Sequence, residues 1–357
     1  MLICLLVTIA QVSMKKRIWY LLGACVVVVA VVLAMFVALH PAAKTSLIVY
    51  TADAYTGEAS YLASQFSSQF GVPVAPPVSG GSYALAREIG QGSPDSVFFS
   101  VALNAYTNSY MGARSSGWAV AFAVDQMVIA YSNATLNNPL GRSVVLSFEN
   151  AELNDSVTAY FSAFTALTAS GNRVGISDPN SDPAGFRAWI ILEEAGYLYA
   201  NHSEDYFVNR LIANGDNVTA SNAAELVSPL FSGQIEFLFI YRSAAQVKGL
   251  SYIQLPPTIN LGDPAHSAFY YNFTYNLNSG PVHGSPIYLF VSVPADAVAQ
   301  KEALLFVLFT VNNSAMLAKF GLTPLNPCYL FNSSVVPVQV AGLVGTGKLV
   351  MKGSLTG

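Results

Sequence analysis

Charge is scarce in this chain. Only 10% of its 357 residues are Asp, Glu, Lys or Arg, against 53% hydrophobic, and the formal net charge is −4. That balance offers no basic footprint, so no nucleic-acid partner is expected. A mean hydropathy of +0.45 also lies far from the polar composition of a disordered chain. Cysteine is almost absent: of three, Cys4 and Cys25 fall in the apolar N-terminal region and Cys328 stands alone beyond it. No disulfide can form within the rest of the chain, and a solitary thiol reads as a packing residue. The four histidines sit in loop-like contexts and suggest surface positions, so neither a cofactor nor a free metal cation is expected. There is no internal repeat.

Charge does gather at one place near the front. Lys15-Lys16-Arg17 precede an uncharged run from Ile18 to Leu39, long enough to cross a bilayer. Positive-inside bias then keeps the basic triplet in the cytoplasm and places the chain beyond His40 outside the cell. Met14 makes a more ordinary start for such a segment than Met1. Leu22-Gly23-Ala24-Cys25 resembles a lipoprotein cleavage site, but the apolar run continues past it, which favours a retained anchor at 18–39. Seven Asn-x-Ser/Thr sequons, at Asn133, Asn154, Asn201, Asn217, Asn272, Asn312 and Asn332, all fall on the external side, where they read either as glycan acceptors or as plain surface polar residues.

Beyond residues 1–44, taken as anchor and linker, strand and helix patterns alternate. Ser46 to Tyr50 reads as a strand, followed by Thr51-Ala52-Asp53-Ala54 and a helix with Tyr55, Ala59, Leu62, Ala63 and Phe66 on one face. Val72 to Val78, the turn Ser79-Gly80-Gly81-Ser82 and a helix over Tyr83 to Ile89 repeat the unit, and Ser96 to Val101 and Val120 to Tyr131 add buried strands. Such alternation implies an α/β fold with mainly parallel sheets. About 310 residues exceed one ordinary core. The division expected is a first lobe over 45–131, a second over 132–255, and a return to the first over 256–357, with Ile287 to Val293 as a strand and Glu302 to Phe309 and Ala315 to Phe320 as helices.

The strongest local signal lies in the middle. Asn172 to Ile176 runs as a strand into Ser177-Asp178-Pro179-Asn180-Ser181-Asp182-Pro183-Ala184-Gly185-Phe186-Arg187 and then an apolar helix. Asp182 suits the N-cap and Pro183 the first helical position. The free N–H groups of that first turn could bind an anion, although capping alone is the commoner use of such a pair. Thr51 to Ala54 and Gly80 to Ser82 likewise follow a strand and open a helix. Taken singly these are ordinary turns; taken together they could converge on one oxyanion in a cleft between lobes, in the crevice beyond strand C-termini.

With these residues the chain resembles the archaeal molybdate/tungstate-binding proteins, the extracytoplasmic solute receptors of ABC transporters. The resemblance rests on Ile48-Val49-Tyr50-Thr51-Ala52, Gly81-Ser82 with Arg87-Glu88-Ile89, Ser177 to Arg187, Phe239-Ile240-Tyr241-Arg242-Ser243, Tyr252-Ile253-Gln254-Leu255-Pro256 and Ile259-Asn260-Leu261-Gly262. It implies a type II periplasmic-binding-protein clamshell, monomeric, that closes on tungstate or molybdate and delivers it to a permease and its ATPase without catalysis. Carried over by position, it places the ligand against Asp53, Ala54, Ser82, Asp182, Pro183, Ala184 and Tyr241, with Asp182 as a direct ligand of the oxyanion metal or as helix cap only.

Two positions depart from the family pattern. Asp53-Ala54 stands where the family has Gly-Ser, so Asp53 must point away or be protonated. Ala223 stands where the family has a second carboxylate, with Glu225 two residues further along. In the family, paired carboxylates carry the oxyanion toward six-coordination, which sulfate cannot follow; their loss leaves sulfate, phosphate or another small anion as alternative ligands. A hydrolase using Ser82 with His202, His266 or His283 as base is the alternative of another class, disfavoured because no Gly-x-Ser-x-Gly elbow surrounds Ser82. A cell-surface structural protein is a third.

Overall fold

The computed structural model describes residues 45–355. The anchor expected at 18–39 lies outside the described residues, and among those described no single helix is long and apolar enough to cross a membrane. Ser46–Gly357 forms one compact unit around two main sheets and a small hairpin.

Strands are numbered in chain order. The larger sheet holds β1 (Val49–Ala52), β2 (Val78–Gly80), β3 (Val97–Ser100), β4 (Trp118–Asp125), β12 (Ile287–Ser292), β13 (Thr323–Asn332) and β14 (Leu349–Gly353). Across the sheet they run β14-β13-β4-β12-β3-β1-β2. The first strand pairs in parallel with β2 and β3, whereas β12 runs antiparallel to β3 and β4. The smaller sheet is ordered β7-β6-β8-β5-β9 and comprises β5 (Met127–Tyr131), β6 (Val174–Gly175), β7 (Asn217–Val218), β8 (Phe237–Tyr241) and β9 (Ser251–Gln254). The chain around the larger sheet is termed lobe 1 and that around the smaller one lobe 2. The hairpin pairs β10 (Thr274–Leu277) with β11 (Gly280–His283).

Central strands are apolar on both faces because helices cover both. All eight residues of β4 are buried, as are all of β1, β3 and β8, yet the sheets are mixed and not mainly parallel as expected: β4 runs antiparallel to both β12 and β13, and β8 antiparallel to β5. The helix Thr56–Phe70 buries Ala59, Leu62, Ala63 and Phe66 at helical spacing and ends at Gly71, whose φ of 61° suits a residue without Cβ. Phe66 meets Phe70, Phe306 and Phe309 at centroid distances of 4.9, 4.8 and 5.7 Å. These contacts fasten the helix Gln300–Asn312 onto the first βα unit.

The boundaries differ from those read in the sequence. Val120 to Tyr131, expected as one strand of lobe 1, breaks at Gln126: β4 ends at Asp125 and β5 pairs with β8 and β9 in the other sheet. Unbroken hydrophobicity conceals this crossover, since the strand is buried on either side of it. The return was expected from residue 256, yet the chain re-enters the larger sheet only at Ile287, and β10 packs against the helix Pro183–Tyr199. Three main-chain bonds stitch the crossovers together: Met127 N–H to Asn260 O, Arg242 N–H to Gln126 O and Ile287 N–H to Leu261 O, each 2.8 Å. Ala315 to Phe320 lies in the 3-10 helix Ser314–Phe320, and Cys328 is buried as a free thiol.

Several carboxyl groups lie inside the fold without an ion-pair partner. Among the described residues neither carboxyl oxygen of Glu58 or Glu194 has a hydrogen-bond partner. Burial pushes Glu58 up to about 7 and Glu194 well above the ordinary value; burial and then Asp205 push Glu193 to about 7. The folded chain therefore holds protons that the unfolded chain gives up near its ordinary carboxyl value of 4.5. The stability so gained is fully present below that value and is lost as pH rises through about 7. Glu236, held low by Arg173, opposes this only at more acid pH. Urea unfolding should thus give the highest free energy near the acid end and a decline toward pH ~8. The double variant Glu58→Gln, Glu194→Gln should flatten that decline, and a wild-type stability that rises from pH ~5 to ~8 would contradict the assignment.

Candidate functional site

Four chain turns meet where the lobes face each other. From lobe 1 come the 3-10 turn Asp53–Tyr55 after β1 and the start of the helix Ser82–Gly90 after β2. From lobe 2 come the start of the helix Pro183–Tyr199 and the short turn Ala223–Leu226. Each follows from local sequence. Asp182, at φ −132°, caps its helix by accepting from Ala184 N–H at 3.1 Å, with Pro183 at the first position. Asn222 caps the 223–226 turn through Glu225 N–H.

The two aspartates share this last turn. Asp182 Oδ2 accepts from Ala223 N–H and Asp53 Oδ2 from Ala224 N–H, both at 2.9 Å. Adjacent amides of one turn thus hold a carboxyl group from each lobe. Asp53 does not point away, as the sequence allowed; it crosses the cleft and is pushed up to about 8, chiefly by burial, then by Asp182. Asp182 is also raised, by burial, against the pull of the Ala184 and Ala223 amides and of Arg187. Ala54, Pro183 and Ala184 are buried beside them.

A second run of contacts extends from Ser82 to Tyr241. Ser82 is fully buried and its Oγ accepts from Val101 N–H at 3.3 Å. The Val101 carbonyl accepts from Arg187 Nη2 at 2.5 Å, and Arg187 Nη1 donates to Tyr241 Oη at 2.6 Å. Tyr241 stacks on Tyr55 at 5.7 Å. All seven residues singled out in the sequence therefore fall in one region. Glu225 does not join them: it is turned outward onto Ser221 and Asn222, so it does not replace the carboxylate missing at Ala223.

Nor do the histidines reach Ser82. His202 packs on Tyr197, His266 bonds Asp263, and His283 stacks on Tyr271, which removes the nucleophile–base pair that a hydrolase needs. Two residues of the region carried no expectation from the sequence: Arg187, at the end of the Ser177 to Arg187 motif, and Asp125 at the crossover. Asp125 Oδ2 accepts from Tyr55 Oη at 2.9 Å and from Ser243 Oγ, one from each lobe. A lone acidic residue ending an apolar strand was the available signal.

The family of bacterial extracellular solute-binding proteins matches residues 47–323. The chain belongs to that family. It is 38% identical to an uncharacterized solute-binding protein of Sulfurisphaera tokodaii over 88% of this chain and 85% of that one. It is 26% identical to the molybdate/tungstate-binding protein of Thermococcus kodakarensis over 65% of this chain and 67% of the relative. In fold it is similar to the periplasmic molybdate-binding protein of Azotobacter vinelandii, with TM-score 0.52, 19% identity, and 82% of this chain and 100% of that one covered. It is likewise similar to a sulfate-binding protein of Mycobacterium tuberculosis, at TM-score 0.53, 14% identity and 87% and 94% coverage. As an extracellular solute-binding protein of an ABC transporter, the chain binds its solute and does not transform it.

The lobes touch through main chain at Gly81. Ser181 O accepts from Tyr83 and Ala84 N–H at 3.1 and 3.3 Å, and a Cβ on Gly81 would collide with that same carbonyl oxygen. Gly81→Ala should hold the lobes apart while each folds normally. Small-angle scattering should show a larger radius of gyration than wild type under the same conditions. An unchanged radius would mean that the contact yields to a methyl group.

Proposed function

We propose that the receptor captures a tetrahedral oxyanion, molybdate or tungstate, between the two lobes and hands it to the permease of an ATP-driven importer. The observation that carries this reading is the convergence of four turns, two of them helix starts, on one buried region shared by both lobes, since such turns bind oxyanions through N–H groups without surface lysines. Relatives that are named for molybdate and tungstate support the ligand class. Asp53, Ala54, Ser82, Asp182, Pro183, Ala184 and Tyr241 form the ligand wall in this proposal, with Asp182 as direct ligand of the oxyanion metal. In the same reading the receptor is a monomer held to the outer membrane face by residues 18–39. Its sequons carry sugar; six of the seven asparagines are exposed and Asn332 is half-buried.

Sulfate or phosphate is the second reading, favoured by one specific feature: Ala223 presents no carboxylate and Glu225 is turned away. Thermal unfolding of the full-length protein with molybdate, tungstate, sulfate and phosphate separates the two. A ligand at about 100 times its Kd adds ~2.7 kcal/mol of apparent stability. Stabilisation by molybdate or tungstate and not by sulfate is the expected result. Equal response to sulfate would leave a general oxyanion receptor, and no response to any would sink the proposal.

A further inference from the structure

Arg187 is the one strong cation in the buried seam, and its surroundings leave its charge unbalanced. It is 3% exposed, and its guanidinium is a planar, delocalised cation with five N–H donors. Its three nitrogens are used unequally. One Nη crosses to the lobe 1 carbonyl of Val101, the other meets Tyr241 Oη within lobe 2, and Nε is buried with no partner. Among the described residues no carboxylate oxygen lies within 4.0 Å of the guanidinium nitrogens. The rings of Phe186 and Tyr241, with centroids 5.3 and 5.6 Å from its central carbon, offer partial compensation. Rings alone do not offset the desolvation of a whole charge, which costs several kcal/mol.

The neighbouring acids do not supply the missing charge. Asp182 spends its two oxygens on the amides of Ala184 and Ala223, and Asp53 its Oδ2 on that of Ala224, and burial raises the pKa of each. The raised carboxyl pKa values lessen the repulsion that acidic side chains offer an anion here.

We infer that Arg187 is the charge partner of the bound oxyanion, taking it through Nε, and that the same guanidinium bolts the lobes together through its bond to Val101. The inference rests on the oxyanion reading and adds to it a residue and a link between binding and closure. A ligand on Nε fixes the orientation of the planar fork, and the fork sets the direction of the Nη2 bond across the cleft.

The test uses the full-length protein, with molybdate as the probe, in wild type, Arg187→Met and Arg187→Lys. Titration calorimetry gives affinity and small-angle scattering gives the change in radius on adding molybdate. Circular dichroism and unliganded Tm check folding. Arg187→Met should weaken molybdate binding on the order of 10- to 100-fold, the scale of a lost charged hydrogen bond. Arg187→Lys keeps the charge on a single ammonium that cannot serve ligand, Tyr241 and Val101 together. It should retain part of the affinity and lose the compaction, and it keeps the proposal testable if the Met variant fails to fold. Wild-type affinity in either variant would overturn the ligand role, and full compaction of Arg187→Lys would overturn the bolt. Absence of wild-type binding to molybdate, tungstate, sulfate and phosphate alike would instead remove the oxyanion reading, and this role of Arg187 with it.

Discussion

One carboxyl group from each lobe resting on neighbouring amides of a single turn is the arrangement that determines the site's other properties. Asp53 and Asp182 meet on Ala224 and Ala223, and two carboxylates this close in a water-poor place cannot both stay charged. Burial and their mutual repulsion raise the pKa of Asp53, and burial raises that of Asp182, which lowers the negative charge of the seam beside Arg187. The position of the 223–226 turn is fixed in turn by Asn222 at its start and by Leu226 in the core.

A second shared carboxyl group sits at the crossover. Asp125 receives a hydroxyl from Tyr55 in lobe 1 and from Ser243 in lobe 2. Tyr55 stacks on Tyr241, which holds Arg187. Crossover and candidate site are thus connected through three side chains in contact, all of them buried.

Much of the candidate site was legible in the sequence because its signals are local. An N-cap followed by proline, a glycine pair before a helix and a strand running into a polar turn each depend on few residues, and Asp182, Ser82 and Asp53 lie where those patterns put them. Features that depend on distant pairing were not legible. Tyr131 reads like any buried strand residue, and only its pairing with Ser251 shows that it belongs to the second sheet. The hairpin β10–β11 and the closing strands β13 and β14 carried no pattern strong enough to detect. The fate of Asp53 was left between two outcomes for the same reason: its raised pKa is caused by burial between the lobes and then by Asp182, distant in sequence.

At Gly81 the lobes are joined by a carbonyl and two amides, with no side chain in the bond. Because the bond uses main-chain atoms, Ser181, Tyr83 and Ala84 can exchange side chains without losing the donor or acceptor, whereas Gly81 cannot gain a Cβ without a collision.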